Sequence, residues 1–419
     1  MQRILGPLGW GALLVFALER CKDVANLAYK LVLGRSLDAV DFGAVDPVFG
    51  VLALMALPML IVTQVAVKYI SRLRSQDRYS ECRELIRHLC IISVVGSFAA
   101  IGLVVALQRF ILSRLHLEST TYIWLIGGLL VLSWWRPLTT ALLQGFLRYR
   151  VMLFSAPLNA VLIIVFVALF VVLLGWGLPG ALLARIMSAA VPLGVVFFLM
   201  RRSLTGERQT YRKELRPILA MVLPMSVYMG SLTLLFQFDR LFVRNFMLAQ
   251  SGGFGAVVTY GSIPAYLIGP IVFVLFPLAA AEHARGRDIS RLYRQALIAG
   301  IGVTVFGVGA SALVAKPLMR FLKPSYVDYA GHLWVYTLAM GMHGTIQIIA
   351  SVEMARHRYG FLWFVAVPVL LMCGLLYAGR GRWSLSQVVW IVAGARMVIL
   401  AGAWSYGVFS ERRSRGDES

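Results

Sequence analysis

The chain has 419 residues, of which 59% are hydrophobic and only 14% charged. Soluble domains carry roughly 25% charged residues, and a globule of this length has too little interior to hide so much apolar side chain, so a soluble enzyme is excluded. The 40 Lys+Arg against 19 Asp+Glu leave a net charge of +21; such a balance usually points to nucleic acid, but here apolar runs of membrane-spanning length separate the basic residues.

A membrane-spanning helix needs roughly 20 mostly apolar residues. Twelve such segments follow one another: 9–34, 43–69, 86–108, 121–144, 152–174, 180–200, 217–243, 254–281, 295–320, 330–353, 361–379 and 385–408. The expected fold is an all-α polytopic membrane protein of about 12 transmembrane helices. Its connections are too short for a folded soluble domain, the longest being the charged linker from Arg201 to Arg216.

An even number of spans puts both termini on one side, and the distribution of Lys and Arg chooses the side. With both ends cytoplasmic, and basic residues at span ends counted with the loops they adjoin, 24 basic residues fall on the inside, nine on the outside and seven within spans. Both termini are therefore expected in the cytoplasm. The short apolar run after Arg3 is followed by Glu19-Arg20-Cys21-Lys22-Asp23 rather than a small-residue cleavage site, so it reads as a retained first span. Cys21, Cys82, Cys90 and Cys373 show no paired spacing; no disulfide, metal or cofactor is expected.

The first span carries the densest charge. Glu19, Lys22, Asp23, Asn26 and Lys30 share one stripe of a helical wheel, with Arg20 at its edge. Ionisable groups in a membrane are costly unless they face protein, water or a ligand, so the stripe is expected to line a cavity rather than touch lipid. The fourth span holds Arg136 between Trp134-Trp135 and Pro137, and the sixth holds Arg185.

The seventh span has a second stripe, Thr233, Gln237, Arg240 and Arg244, with Asp239 beside it. Arg244 is near the outer end, where reaching for the interface is the alternative to its lining a cavity with the stripe. His343 in the tenth span reads as a packing residue, and Arg396 falls near the middle of the twelfth. Prolines interrupt several spans, among them Pro58, Pro137, Pro192, Pro224, Pro264, Pro270, Pro277 and Pro368, where they kink helices and free backbone groups.

An internal repeat runs through these segments. At an offset of 212, Phe42-Gly43-Ala44-Val45 recurs as Phe254-Gly255-Ala256-Val257, and Pro58 falls on Pro270. A weaker echo pairs Arg148-Tyr149-Arg150 with Arg356-His357-Arg358. Six spans per repeat make parallel halves, an arrangement that places a transport site between two lobes. The expected lobes are 1–205 and 206–410, with 411–419 as a cytoplasmic tail.

Basic residues outnumber acids within the spans. Arg20, Lys22, Lys30, Arg136, Arg240 and Arg396 are the candidate substrate-contact residues, because Arg and Lys suit an anionic headgroup. Glu19, Asp23 and Asp239 are the candidate ion-coupling residues.

These segments resemble the polysaccharide-type flippases of the multidrug/oligosaccharidyl-lipid/polysaccharide (MOP) exporter superfamily. The likeness rests on Leu33-Gly34-Arg35 with Asp41-Phe42-Gly43, on Leu142-Leu143-Gln144-Gly145 with Arg148-Tyr149-Arg150, and on Leu223-Pro224, Asp239-Arg240-Leu241 and Phe276-Pro277. These markers spread over roughly residues 10–295, and the last four spans add little. The resemblance implies two six-helix lobes around a central cavity that alternates between inward- and outward-open states. It also implies a non-enzymatic role in the bacterial inner membrane, moving lipid-linked anionic oligosaccharide. Glycosyltransferases and a polysaccharide polymerase follow as candidate partners, besides membrane lipid, and nucleic acid does not. The first helix is more densely charged than the family leads one to expect, so contact residues carry over only as a class. The rivals are a multidrug-type cation antiporter of the same superfamily, a membrane-embedded polysaccharide-assembly enzyme, and a scaffold for glycosyltransferases. Acid-dominated cavities would mark the first, and a large outside loop or a compact His/Asp/Glu constellation the second; the six His are scattered.

Overall fold

A computed structural model describes residues 6–75, 78–145, 149–204, 215–284, 289–356 and 358–416; for some of these, including 6–20, only the backbone is described. Among the described residues all regular structure is helical. The first half comprises α1 (Gly6–Ser36), α2 (Ala39–Ser75), α3 (Tyr79–Ala106), the short α4 (Gln108–Leu115), α5 (Thr121–Gly145), α6 (Tyr149–Val167) and α7 (Gly177–Leu204). A π-helical turn, Ala168–Leu173, prolongs α6. The second half comprises α8 (Leu215–Phe246), α9 (Ser251–Gly261), α10 (Ile263–Ala284), α11 (Ser290–Leu322), α12 (Leu333–Ala355), α13 (Leu362–Ala378) and α14 (Leu385–Gly416). Each of the twelve expected spans is helical.

Seven helical stretches among the described residues are long and apolar enough to cross a membrane on those grounds alone. The eighth expected span, 254–281, is not one rod: it is split into α9 and α10, which bend by 42°. Pro264 stands in the first turn of α10, where a ring without an N–H is tolerated but cannot continue the hydrogen-bond ladder of the preceding helix. This is a multi-pass membrane protein. Its outer faces are apolar: Phe98 on α3, Phe306 and Leu313 on α11 and Leu371 on α13 are all exposed. Lipid makes such faces stable, since helices satisfy their backbone groups internally.

The chain forms two compact units, one of residues 1–41 and 48–229, the other of residues 42–47 and 230–419. In the first, α1 packs on α6, α6 on α7, and α5 on both α3 and α7. Met59, Ile86, Leu138 and Val196 form an apolar core that ties α2, α3, α5 and α7 together. In the second unit α12 is the central helix, packed by α9, α10, α11 and α14, while α13 packs on α14. Burial runs nearly all round α12, the mark of a helix enclosed by others.

The pairings α3–α5, α5–α7 and α6–α7 recur six spans later as α11–α12, α12–α14 and α13–α14. The repeat read in the sequence is thus a repeat of helix packing. Its best-matched residues also meet. A Cβ on Gly43 would come 2.7 Å from the backbone carbon of Ser251, and one on Gly255 would come 3.3 Å from the Phe42 ring. Phe42 also stacks on Tyr326, with centroids 6.1 Å apart. Glycine is needed at Gly43 because two helices approach there to backbone distance, as small residues permit in membranes. The Arg148-Tyr149-Arg150 and Arg356-His357-Arg358 echo involves residues outside those described.

Candidate functional site

The expected site residues gather in two places, one within each unit. In the first unit Lys22 of α1, Arg136 and Thr139 of α5, and Ser155 and Asn159 of α6 line a cavity of about 70 Å³, closed by Pro192 of α7. Lys22 is half-buried and Arg136 exposed. Thr139 turns its hydroxyl to the Arg136 carbonyl at 2.8 Å, a local bond next to Pro137. The amide of Asn159 donates to the Ser188 carbonyl at 2.6 Å, which holds α6 against α7.

One helical turn along α1, Asn26 accepts a hydrogen bond from Arg185 Nη1 at 2.5 Å. The Arg185 guanidinium also lies 5.6 Å from the centre of the Tyr29 ring and 5.4 Å from that of Phe49. Tyr29 donates its hydroxyl to the Ala181 carbonyl at 2.9 Å. Desolvated cation–π contacts of this kind are worth about 2 kcal/mol, so Arg185 is anchored between α1, α2 and α7. The stripe of α1 therefore faces protein and a cavity, as its cost in lipid requires: Lys22, Asp23, Asn26 and Lys30 are all half-buried. The side chains of Glu19 and Arg20 lie outside those described.

The second unit holds a denser cluster. Asp239 is fully buried and accepts the Tyr336 hydroxyl on Oδ2 at 2.9 Å. Its other oxygen accepts the Arg240 backbone N–H at 2.9 Å. Arg240 is 4% exposed. It donates from Nη1 to Gln237 Oε1 at 3.2 Å and from Nη2 to Ser262 Oγ at 3.4 Å. Its guanidinium also sits 4.2 Å from the Phe236 ring centre. The sequence spacing explains this locally, because residues three and four apart are neighbours on a helix surface. Asp239, one residue earlier, is turned towards α12 instead.

Arg396 is completely enclosed. Nη1 donates to the Val392 carbonyl at 3.0 Å and Nη2 to the Leu235 carbonyl of α8 at 2.5 Å. In this conformation Arg396 staples α14 to α8 and has no route to a ligand. Arg396 and Arg240 interact electrostatically with Asp239 and Tyr336, and Arg240 also with Asp46, so Asp239 is a counter-charge that the two buried cations share.

Two expectations on α8 and α12 meet different outcomes. Arg244 does not reach for the interface: it is 1% exposed, with Nη1 donating to Ser251 Oγ at 3.4 Å. Ser251, at the start of α9, meets it, which wheel position alone could not reveal. His343 is a packing residue, its ring 5.2 Å from Phe236 and beside Gln347.

Other residues join the cluster. Asp46 and Arg240 line one small cavity with Ser251 and Gly255; an acid at the end of an expected span, next to the repeated tetrapeptide, is the signal Asp46 carries in the sequence. Tyr336, Ser262 and Phe236 carried none, since an aromatic or hydroxyl residue in an apolar helix is ordinary. Among the described residues no three His, Cys, Asp or Glu converge as metal ligands. Changing Tyr336→Phe is expected to remove one hydrogen bond to a buried charge and lower stability by about 1.5–3 kcal/mol; thermal unfolding in detergent would measure it.

No family model matches the chain, and no curated protein matches it by sequence. Solved structures do match by shape. An inward-facing multidrug resistance MATE family transporter of the MOP superfamily aligns with a TM-score of 0.76 at 15% identity, covering 96% of this chain and 99% of that one. The chain has the MATE fold. A MATE structure in a straight conformation aligns with a TM-score of 0.69 at 14% identity, covering 97% of this chain and 96% of that one. A Vibrio cholerae MATE transporter variant gives 0.58 at 15% identity, covering 96% of this chain and 95% of that one. In this MATE fold the two sites are built from different helices of the repeat, α1 with α5–α7 in one unit, and α8 with α12 and α14 in the other.

Proposed function

We propose that this protein is a transporter that carries a polyprenyl-pyrophosphate-linked oligosaccharide from the cytoplasmic to the outer leaflet of a bacterial inner membrane. Both termini are cytoplasmic in this reading, and the cycle is alternating access. The observation that carries it is the cavity shared by Lys22 and Arg136, two cations from helices distant in sequence on a polar wall of Thr139, Ser155 and Asn159. Its size suits a phosphate rather than a sugar, and guanidinium and ammonium donors match phosphate oxygens. Moving a negative headgroup out of a negative-inside cell gains about 2.3 kcal/mol per charge per 100 mV, which favours export. Lys30 and Arg20 extend the basic surface of α1, Arg240 is the corresponding contact in the second unit, and Arg396 supports it from α14. Asp23 and Glu19 are proposed to couple the cycle to an ion. Asp239 joins them only in a state where its bond to Tyr336 opens.

The test is translocation of a fluorescent lipid-linked oligosaccharide in proteoliposomes by the Lys22→Ala and Arg136→Ala variants. Each loses one charged contact to phosphate, and a drop of about tenfold is expected from each, with normal protein levels. Unchanged translocation in both would remove the cationic-site reading.

A second reading, transport of small multidrug-type compounds, draws support from the multidrug MATE transporter whose fold this chain shares. Resistance to cationic drugs on expression, lost with Asp23→Asn but not with Lys22→Ala, would favour it.

A further inference from the structure

We propose that the second unit carries a neutral-sugar subsite at the end of α8. A cavity of about 300 Å³ opens between the α8–α9 connection and the α13–α14 connection, lined by Phe242, Phe246, Met247, Gln250, Gly381 and Trp383 among others. Its volume is at the lower end of small-ligand pockets. None of its lining side chains is charged. A pyrophosphate there would be desolvated without compensation, so the occupant is neutral.

The walls are built for a ligand with apolar faces and hydroxyl edges. Trp383 is fixed: its indole N–H donates to the Leu375 carbonyl at 3.3 Å, and its ring lies on Gly379, where a Cβ would come 2.6 Å from the ring carbon Cζ2. Phe246 is held edge-on by Tyr377. Aromatic rings so placed offer flat apolar platforms, which the C–H face of a pyranose ring covers.

The polar group is Gln250. Its backbone N–H donates to the Met247 carbonyl at 2.9 Å, which closes the short turn Leu248–Gln250 and sets the side chain at the cavity wall. The side-chain carbonyl oxygen is buried, with no hydrogen-bond partner among the described residues. An acceptor left this way is costly, and a sugar hydroxyl donating to it removes the cost. Arg380, in the same connection, is held elsewhere: its guanidinium lies 4.2 Å from the Tyr377 ring centre and donates to that residue's carbonyl. Gly381 adopts φ +79°, and a Cβ there would meet nothing within 4 Å. The rim beside Trp383 is therefore open.

This inference rests on the transport reading for its purpose, because that reading, with both termini cytoplasmic, makes both connections outside loops. The subsite would hold sugar hydroxyls and ring faces while the phosphates stay with the basic residues. Binding is read directly and without transport. Protein in lipid nanodiscs is mixed with lactose or chitobiose, and saturation transfer from aromatic protons to the sugar is followed by NMR. Transfer to ring C–H protons is expected, with affinity at least fivefold weaker in Gln250→Leu and lost in Trp383→Ala. Thermal stability of Gln250→Leu should be unchanged or raised, since the unpaired acceptor is gone; a merely structural glutamine would show a fall. Absent transfer, transfer undiminished in Gln250→Leu, or displacement of neither sugar by its own excess while a planar apolar dye binds, would overturn the proposal. Sugar binding without translocation would uphold the subsite and overturn the transport reading alone.

Discussion

Asp239→Asn is expected to destabilise the protein by up to about 3–5 kcal/mol, the cost of leaving Arg396 without its acidic counter-charge and Arg240 with Asp46 alone. The change keeps the side chain's shape and leaves an oxygen for Tyr336, so the loss is mainly electrostatic. Asp239 is buried between Arg240, which shares its backbone turn, and Arg396, and both interact with it. Arg396→Met alone loses two hydrogen bonds to carbonyls but fills the space with an apolar chain of similar length. With Asp239→Asn already present, Arg396→Met should cost less than in the wild type, because the cation it removes has become unpaired. A coupling of about 0.5–3 kcal/mol is the range for residues in one network. Thermal unfolding of the four proteins in detergent, followed by size exclusion, measures it. Additive effects would show that Asp239 and Arg396 do not act as a pair.

The second large effect is of opposite sign at two glycines. Alanine in place of a mid-helix glycine ordinarily stabilises by about 1 kcal/mol, and Gly102→Ala on α3 should do so, since nothing stands within 4 Å of its added methyl. Gly43→Ala should instead cost about 1–3 kcal/mol, the range for overpacking. Its methyl would meet the Ser251 hydroxyl and come 2.7 Å from the Ser251 backbone carbon, which cannot swing aside. Unfolding temperatures for the two variants that move together would refute the close crossing of the repeated segments.

Much of this architecture could be read from one sequence. Runs of about 20 apolar residues leave helices as the available structure in lipid, and each expected span is helical. The stripe of Glu19 to Lys30 announced an inward face because charge in lipid is expensive, and its described members are half-buried. The eighth span shows where such reading stops: a sum of apolar residues does not register that Pro264 divides it into α9 and α10. Arg244 shows the same limit. Its position near a helix end left the interface open to it, but it is buried, with Ser251 at the start of α9 accepting from it.

The sites were legible as residue types and faces, not as groupings. Lys22 and Arg136 were both singled out, yet nothing in their spacing says that α1 and α5 bring them to one cavity. Tyr336, which holds Asp239, and Gln250 and Trp383 carry no signal in the sequence, because such residues are ordinary in apolar helices and their connections.

The amino-acid sequence by itself determined that this is a many-span helical membrane protein with a two-fold internal repeat and costly charges turned inward. Hydropathy and helical period are local properties, set by neighbours within a few turns. Only the tertiary structure decided that Arg240 and Arg396 share Asp239, that Lys22 and Arg136 share a cavity, and that an uncharged aromatic cavity forms at the end of α8. Those outcomes depend on which helices touch, and a helical period specifies the face a residue occupies but not the helix it will meet.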